Sequence, residues 1–396
     1  MEQETTKSDQ IKINPNEMVN ETGKDIDYTK IIEIFGCEFI SKKQIEKFEK
    51  LTGKPCHVLL KREIFFSQRD FDVLLQYMEQ KKPIFLYTGR GPSTDSMHLG
   101  HLLPFIFTQY LQDVLKCPLV IQLSDDEKFF YQKDTHHELD YFRKVAVENT
   151  KDIIACGFDP ERTFIFRNTD YAPEMYINIC KIQKAVTYNQ VKGIFGFNGS
   201  ESCGKVAFPA IQATPCLGSS FKHIFGDNDD VLCIVPMGID QDPYFRMTRD
   251  VALKLKFPKP VCIHSKFFPA LQGFKSKMSS SDQNSAIFLN DTYEQIKTKI
   301  QKYAFSGGRT TVEEHKKLGA DLEVDIPYNY LRFFLEDEHK LKEITENYGS
   351  GKMLTGEIKA IAVEVLSKIV KGHQDRRAAV TMSMIDDFMK KKPLNK

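Results

Sequence analysis

Residues 82–115, KPIFLYTGRGPSTDSMHLGHLLPFIFTQYLQDVL, decide how the rest of the chain is read. Ile84 to Tyr87 form a short β-prone run, and Gly89, Gly91 and Pro92 break it, so a strand ends at a glycine-rich turn. From Met97 onward Leu99, Leu102, Leu103, Ile106, Phe107 and Leu111 recur at helical spacing, with Ser93, Asp95 or Ser96 available as the cap. Gly100 falls in the first helical turn, where a missing side chain lets a ring or phosphate approach and helix N–H groups favour an anion. His98 and His101, three apart, share one face and can donate to phosphate oxygens. No carboxylate or cysteine lies within a turn of the pair on the helix itself, which argues against a metal there.

The pattern repeats downstream. Strand-like runs at 118–124, 163–168, 230–236 and 260–265 alternate with helical stretches, which predicts an α/β fold with a doubly wound, mostly parallel, Rossmann-like sheet and ligands at the carboxyl ends of its strands. Residues 1–24 read as a disordered tail, 25–82 as a helical N-terminal extension, 83–290 as the catalytic domain with an insertion near 175–218, and 291–396 as a C-terminal all-helical domain. The segment GSESCGK at 199–205 nearly matches a phosphate-binding loop, but Val206 stands where Ser or Thr must ligate Mg²⁺ and no good strand precedes it.

With 55 basic against 54 acidic residues the net charge is +1, so any nucleic-acid contact has to come from a local basic face. Nine cysteines with no CxxC spacing exclude a zinc knuckle and fit reduced thiols in a cytoplasmic protein. The polar N-terminus lacks the apolar core of a signal peptide, and no apolar run approaches membrane-spanning length.

A second motif, Lys277-Met278-Ser279-Ser280-Ser281, follows the last strand-like run. HLGH early and KMSSS late resemble the signature pair of class I aminoacyl-tRNA synthetases. Together with IQLSDDEKFF, GIFGF, FPAIQATP, GIDQDPYFRMTRDV and FFPALQG, they resemble the tryptophanyl-tRNA synthetases of eukaryotic and archaeal type over roughly residues 25 to 390. The resemblance implies tryptophan activation by ATP to the adenylate and pyrophosphate, then transfer to tRNA(Trp), in a cytoplasmic homodimer whose contact surface lies in the insertion.

It implies roles residue by residue. His98, His101, Lys277, Ser279 and Ser281 would serve catalysis; Gly89, Arg90, Gly91, Gly100, Gly238, Asp240 and Met278 would join His98, His101, Lys277 and Ser279 around ATP. Tyr87 and Gln122 would meet the indole N–H, and Glu127, Gln212 and Gln241 the α-amino and carboxylate groups. Mg²⁺ would accompany ATP, with no metal held by protein side chains alone. Ser280 replaces the second lysine of the commoner KMSKS, so the resemblance leaves Lys275, Lys128 or Arg90 to help neutralise pyrophosphate. The helical domain would bind the anticodon, with Tyr328, Tyr330, Arg332, Phe333, Arg376 and Arg377 offering stacking and base-edge chemistry. Rival readings are a tyrosyl synthetase, a small-metabolite adenylyltransferase and a non-catalytic scaffold relative.

Overall fold

The computed structural model describes residues 26–132, 137–278 and 282–395, with 11–13, 18–20 and 275–277 described as backbone only. Two strands, β1 (Ile11–Ile13) and β2 (Met18–Asn20), pair antiparallel where the sequence reads as a disordered tail; the remainder of 1–24 lies outside the described residues. The chain divides into two compact units, one of Met1–Ile31, His98–Gly100 and Phe267–Gly372, the other of Ile32–Met97, His101–Lys266 and His373–Lys396.

The larger unit is built on seven strands: β3 (Glu38–Phe39), β4 (Phe65–Arg69), β5 (Ile84–Arg90), β6 (Leu119–Leu123), β7 (Thr163–Arg167), β8 (Leu232–Gly238) and β9 (Val261–Ser265). Their order is β3-β4-β9-β8-β5-β6-β7, with the five from β9 to β7 parallel. The chain winds from β5 out to β7, then returns to β8 beside β5 and winds out to β9. The order reverses between β5 and β8, and a crevice at the carboxyl ends of those two strands is where such sheets take nucleotides. Helices cover both faces, which is why Leu119, Val120, Ile121 and Leu123 are all fully buried without alternation.

The expected parallel strands are all present, but the extension is not purely helical. It holds helices Tyr28–Phe35, Lys42–Thr52 and Phe71–Glu79, and it also adds β4 antiparallel to β9 and β3 antiparallel to β4. The reversals bounding β4 fall at Glu63 (φ 55°) and Asp70 (φ 59°). Left-handed backbone is usually marked by glycine, so the punctuation is invisible in the sequence.

In the 175–218 stretch a capping box at Thr187 and Gln190 starts helix Tyr188–Phe195, and Ser202 caps helix Cys203–Ala213. Residues 199–205 therefore follow a helix, not a strand, and Lys205 pairs with Glu201 at 3.0 Å. This removes the near-match as a phosphate-binding loop.

In the smaller unit β10 (Pro269–Ala270) and β11 (Gly273–Lys277) form a hairpin followed by helices Tyr293–Tyr303, Val312–Leu318, Ile326–Phe334 and Glu338–Gly349. Asp325 ties this bundle together, capping the Tyr328 N–H at 2.8 Å and accepting from the Tyr348 hydroxyl at 2.7 Å and the Gly307 N–H at 2.9 Å. Tyr328, Tyr330 and Phe333 are buried here, and the Tyr330 hydroxyl donates to the Pro269 carbonyl at 2.9 Å. They build the core and are not available to stack on bases, contrary to the expectation. Helix Thr355–Ala378 ends within the larger unit, where Arg377 pairs with Glu148 and Asp152 at 2.8 Å each and Arg376 donates to the Ala155 carbonyl at 2.6 Å. Those two arginines anchor the last turn of helix Thr355–Ala378 to the end of helix Leu139–Ile154.

Candidate active site

At the β5–β6 edge the parallel register sets Gly89 beside Gln122 and Tyr87 beside Val120. Tyr87 and Gln122 are fully buried, and the Tyr87 hydroxyl donates to Gln122 Oε1 at 2.5 Å. Gln212, from helix Cys203–Ala213, donates through Nε2 to the Tyr87 oxygen at 3.0 Å. Burial pushes the Tyr87 phenol well above its ordinary range, so it stays a neutral hydroxyl. Two residues that sequence reasoning passed over complete the cluster. Gln122 Nε2 donates to Asn168 Oδ1 at 2.8 Å, and Asn168 Nδ2 donates to Asp126 Oδ1 at 2.7 Å. The only signal for Asn168 is a polar side chain directly after an apolar strand, which more often reads as a helix cap.

The turn after β6 packs three acids into helix Asp125–Tyr131. Asp125 is fully buried and accepts from the Thr169 N–H at 3.2 Å and hydroxyl at 2.5 Å. Burial raises the Asp126 carboxyl to about 7, with the Asn168 hydrogen bond pulling it down and Asp125 pushing it further up. Glu127 accepts from the Ser124 hydroxyl at 2.7 Å and lies 3.4 Å from Lys128 Nζ. A side chain on Gly91 would strike Lys128 Cε at 2.2 Å and Glu127 Oε2 at 2.6 Å, so this glycine makes room for both groups. Arg90, at the end of β5, donates from Nε to Asn149 Oδ1 at 3.2 Å. Its Nη2 is sealed from solvent with no hydrogen-bond partner among the described residues. Burial lowers this guanidinium to about 10 against the attraction of Glu127 and Asp152. An unsatisfied buried cationic donor at a strand's carboxyl end suits an anion.

At the β8 exit the chain passes through the turn Ile239–Gln241 into helix Asp242–Ala252. A side chain on Gly238 would meet Asp240 Oδ1 at 2.7 Å, and Asp240 and Gln241 are half-buried. Asp242, Cys262 and His264 bring possible metal-ligating atoms within 4.8 Å of one another. Arg69, however, already grips both Asp242 oxygens, at 2.7 and 2.8 Å, and His264 Nε2 lies 3.0 Å from one of them. Burial alone would raise the Asp242 carboxyl, but Arg69 and His264 outweigh it and hold it far below the usual range. The guanidinium supplies the positive charge that a metal would bring, and this cluster is an internal ion network.

In the smaller unit His98 is buried, bridges backbone to backbone with Phe288, and sets its ring edge-on to the Phe288 ring at 6.2 Å. The Leu99 N–H donates to the Ile287 carbonyl at 3.0 Å. A side chain on Gly100 would fall 3.1 Å from the His98 ring and 3.4 Å from Phe268 Cβ. Phe268 in turn accepts the Met278 N–H on its carbonyl at 3.5 Å. Phe268 is thus the shared neighbour of Gly100 and Met278. A side chain at Gly100 would therefore crowd its own protein neighbours. His101 is half-buried in the larger unit. Lys277 pairs with Pro269 through its backbone, whereas Ser279, Ser280 and Ser281 lie outside the described residues.

The family model for class I tRNA synthetases of tryptophan and tyrosine matches residues 78–371. The cytoplasmic tryptophan–tRNA ligase of Bos taurus is 53% identical over 99% of this chain and 82% of its own length. Among solved structures, the tryptophanyl-tRNA synthetase of Plasmodium falciparum is 48% identical with a TM-score of 0.87, covering 92% of this chain and 95% of that one. That of Encephalitozoon cuniculi, solved bound to tryptophan, is 41% identical with a TM-score of 0.86, covering 92% and 98%.

Proposed function

This chain belongs to the class I tRNA synthetases of tryptophan and tyrosine, and we propose that the buried Tyr87–Gln122–Gln212 cluster is where its amino acid is recognised. Its reaction is that of a tryptophan–tRNA ligase: ATP activates tryptophan, and the amino acid passes to tRNA. Indole carries one polar atom, an N–H donor, so its pocket needs apolar walls and an acceptor. Tyr87 Oη and Gln122 Oε1 are such acceptors in a fully buried setting, and this observation carries the assignment. Glu127, Gln212 and Gln241, all half-buried, receive the α-amino and carboxylate groups.

In the first step the tryptophan carboxylate attacks the α-phosphorus of ATP and pyrophosphate leaves. Negative charge gathers in that transition state, so the protein's task is positioning and electrostatic stabilisation. Arg90, with its sealed Nη2, meets a phosphate. His98, His101, Lys277, Ser279 and Ser281 grip the triphosphate, and Asp240 accepts from the ribose hydroxyls. The buried acid–histidine–cysteine group is already neutralised by Arg69, so Mg²⁺ would arrive with the nucleotide and would supply charge neutralisation at its phosphates. The enzyme works in the cytoplasm, as the names of its relatives indicate. No helix among the described residues is long and apolar enough to cross a membrane.

Two copies associate through the stretch at 175–218. That stretch exposes Tyr176 (63%), Ile177 (68%) and Tyr188 (51%), apolar surface that a second copy would cover. The helical bundle takes the tRNA, where exposed Tyr303 and Phe305 offer stacking faces in place of the buried candidates. The reading is tested by pyrophosphate exchange into ATP with each standard amino acid supplied alone. Exchange with tryptophan only is expected; exchange with tyrosine, or with none, refutes it.

A further inference from the structure

Resting on the reading that Tyr87 and Gln122 meet the indole, we infer that Asn168 and Asp126 are specificity-determining positioning residues that fix which end of the Gln122 amide faces the substrate. An amide presents an acceptor at one end and a donor at the other, and the two ends have nearly the same shape. Nothing in Gln122 itself decides its direction. The Ile211 carbonyl lies 3.5 Å from Gln122 Nε2 and favours the same direction weakly; the stronger constraint comes from the far end of the line, where Asp126 Oδ1 accepts the Glu127 backbone N–H at 2.8 Å. A backbone N–H cannot reverse, so Oδ1 is fixed as an acceptor. Asn168 must therefore turn Nδ2 toward it, at 2.7 Å, which leaves Asn168 Oδ1 facing Gln122. Gln122 must then turn Nε2 toward Asn168, at 2.8 Å, and Oε1 toward Tyr87, at 2.5 Å.

The line ends where specificity begins. With Oε1 outward, Gln122 takes the Tyr87 hydroxyl proton and the remaining lone pairs of both groups are left for an N–H donor. With the amide reversed, Nε2 would donate to the Tyr87 oxygen and a donor would face the indole N–H. Sites that leave a polar group unpaired against the wrong ligand discriminate strongly, and here the protein selects the direction of that polarity from three residues away. Neither Asn168 nor Asp126 needs to touch tryptophan.

The test compares tryptophan with β-(3-benzothienyl)alanine, in which sulfur replaces the indole N–H at nearly constant shape. kcat/KM for each is measured by pyrophosphate exchange at pH 8, above the value of about 7 to which burial raises the Asp126 carboxyl. Gln122→Ala is the control for the underlying reading and should lower the tryptophan preference. Asn168→Ala and Asp126→Ala should each lower it by about tenfold, the loss of one directed hydrogen bond, while KM for ATP stays at the wild-type value. Asp126→Asn keeps an oxygen for the Glu127 N–H and for Asn168, so it should retain the preference. Should Asn168→Ala fail to fold, the contrast between Asp126→Ala and Asp126→Asn carries the test. If Gln122→Ala lowers the preference but the alanine variants at 168 and 126 do not, or if Asp126→Asn loses as much as Asp126→Ala, the relay is wrong. If Gln122→Ala itself has no effect, the reading of the pocket fails and takes the relay with it.

Discussion

Two buried polar clusters lie in the same sheet, and they are settled in opposite ways. At the β4–β9 edge Asp242 is closed off by Arg69 and His264, and His264 continues to the Ser67 hydroxyl at 2.9 Å. Arg69 also donates to the Phe35 and Gly36 carbonyls at 2.5 and 2.8 Å, so each of its three guanidinium nitrogens is engaged. The carboxyl is held far below its usual range. At the β5–β6 edge Asp125 and Asp126 are both raised by burial, and the Arg90 Nη2 remains unsatisfied among the described residues. The first cluster is a finished structural joint. The second keeps charge and hydrogen-bonding capacity in reserve, and it is this reserve that the proposed recognition of tryptophan and ATP draws on.

The contrast predicts different failures. Arg69→Ala strands the Asp242 charge in a dry site and should cost about 3–5 kcal/mol of folding stability in urea melts. A loss within about 1 kcal/mol would show that the joint is not closed as described. Tyr87→Phe should instead act on function, raising KM for tryptophan about tenfold with KM for ATP unchanged, since it removes one hydroxyl from the indole cluster. A shift in both KM values would move Tyr87 from recognition to general packing.

Their pH dependences should slope in opposite directions. Asp242 is held below its unfolded value of about 3.9, so its stabilisation is complete above that pH and is lost as pH falls further. Asp126 is raised to about 7, so the folded state binds its proton more tightly, and stability falls as pH rises from about 4 through 7. Wild type should therefore lose more stability between pH 4.5 and 8 than Asp126→Asn, and equal slopes would contradict the raised value. The smallest effect is expected at Lys205→Ala. It breaks a surface pair worth about 0–1 kcal/mol and should leave KM for ATP unchanged, whereas a phosphate-binding lysine would not.

What the sequence disclosed followed from what its patterns measure. Period-two and period-3.6 signals located β5 to β9 and their helices, and the two short signature motifs carried the resemblance to the family that the chain belongs to. β4 escaped because Glu63 and Asp70 turn the chain without glycine. The aromatic residues Tyr328, Tyr330 and Phe333 looked suited to RNA because composition cannot distinguish a core ring from a stacking platform; burial decides it. Arg376 and Arg377 misled for the same reason, since their charge is spent on helix Leu139–Ile154. Asn168 and Asp126 were silent because their meaning lies in donor and acceptor direction, which exists only once the atoms are in place.

The chain contains no tryptophan, so the indole fluorescence of the substrate can be followed against a background of tyrosines alone. Titrating tryptophan into wild type and Gln122→Ala tests the central claim most directly, because it reads binding without ATP, tRNA or turnover. Loss of a buried indole acceptor should weaken binding about tenfold or more at a temperature where both proteins are fully folded, the stranded Tyr87 and Asn168 partners lowering only the melting temperature. Equal affinity in the two proteins would show that the buried cluster at the β5–β6 edge does not read the indole.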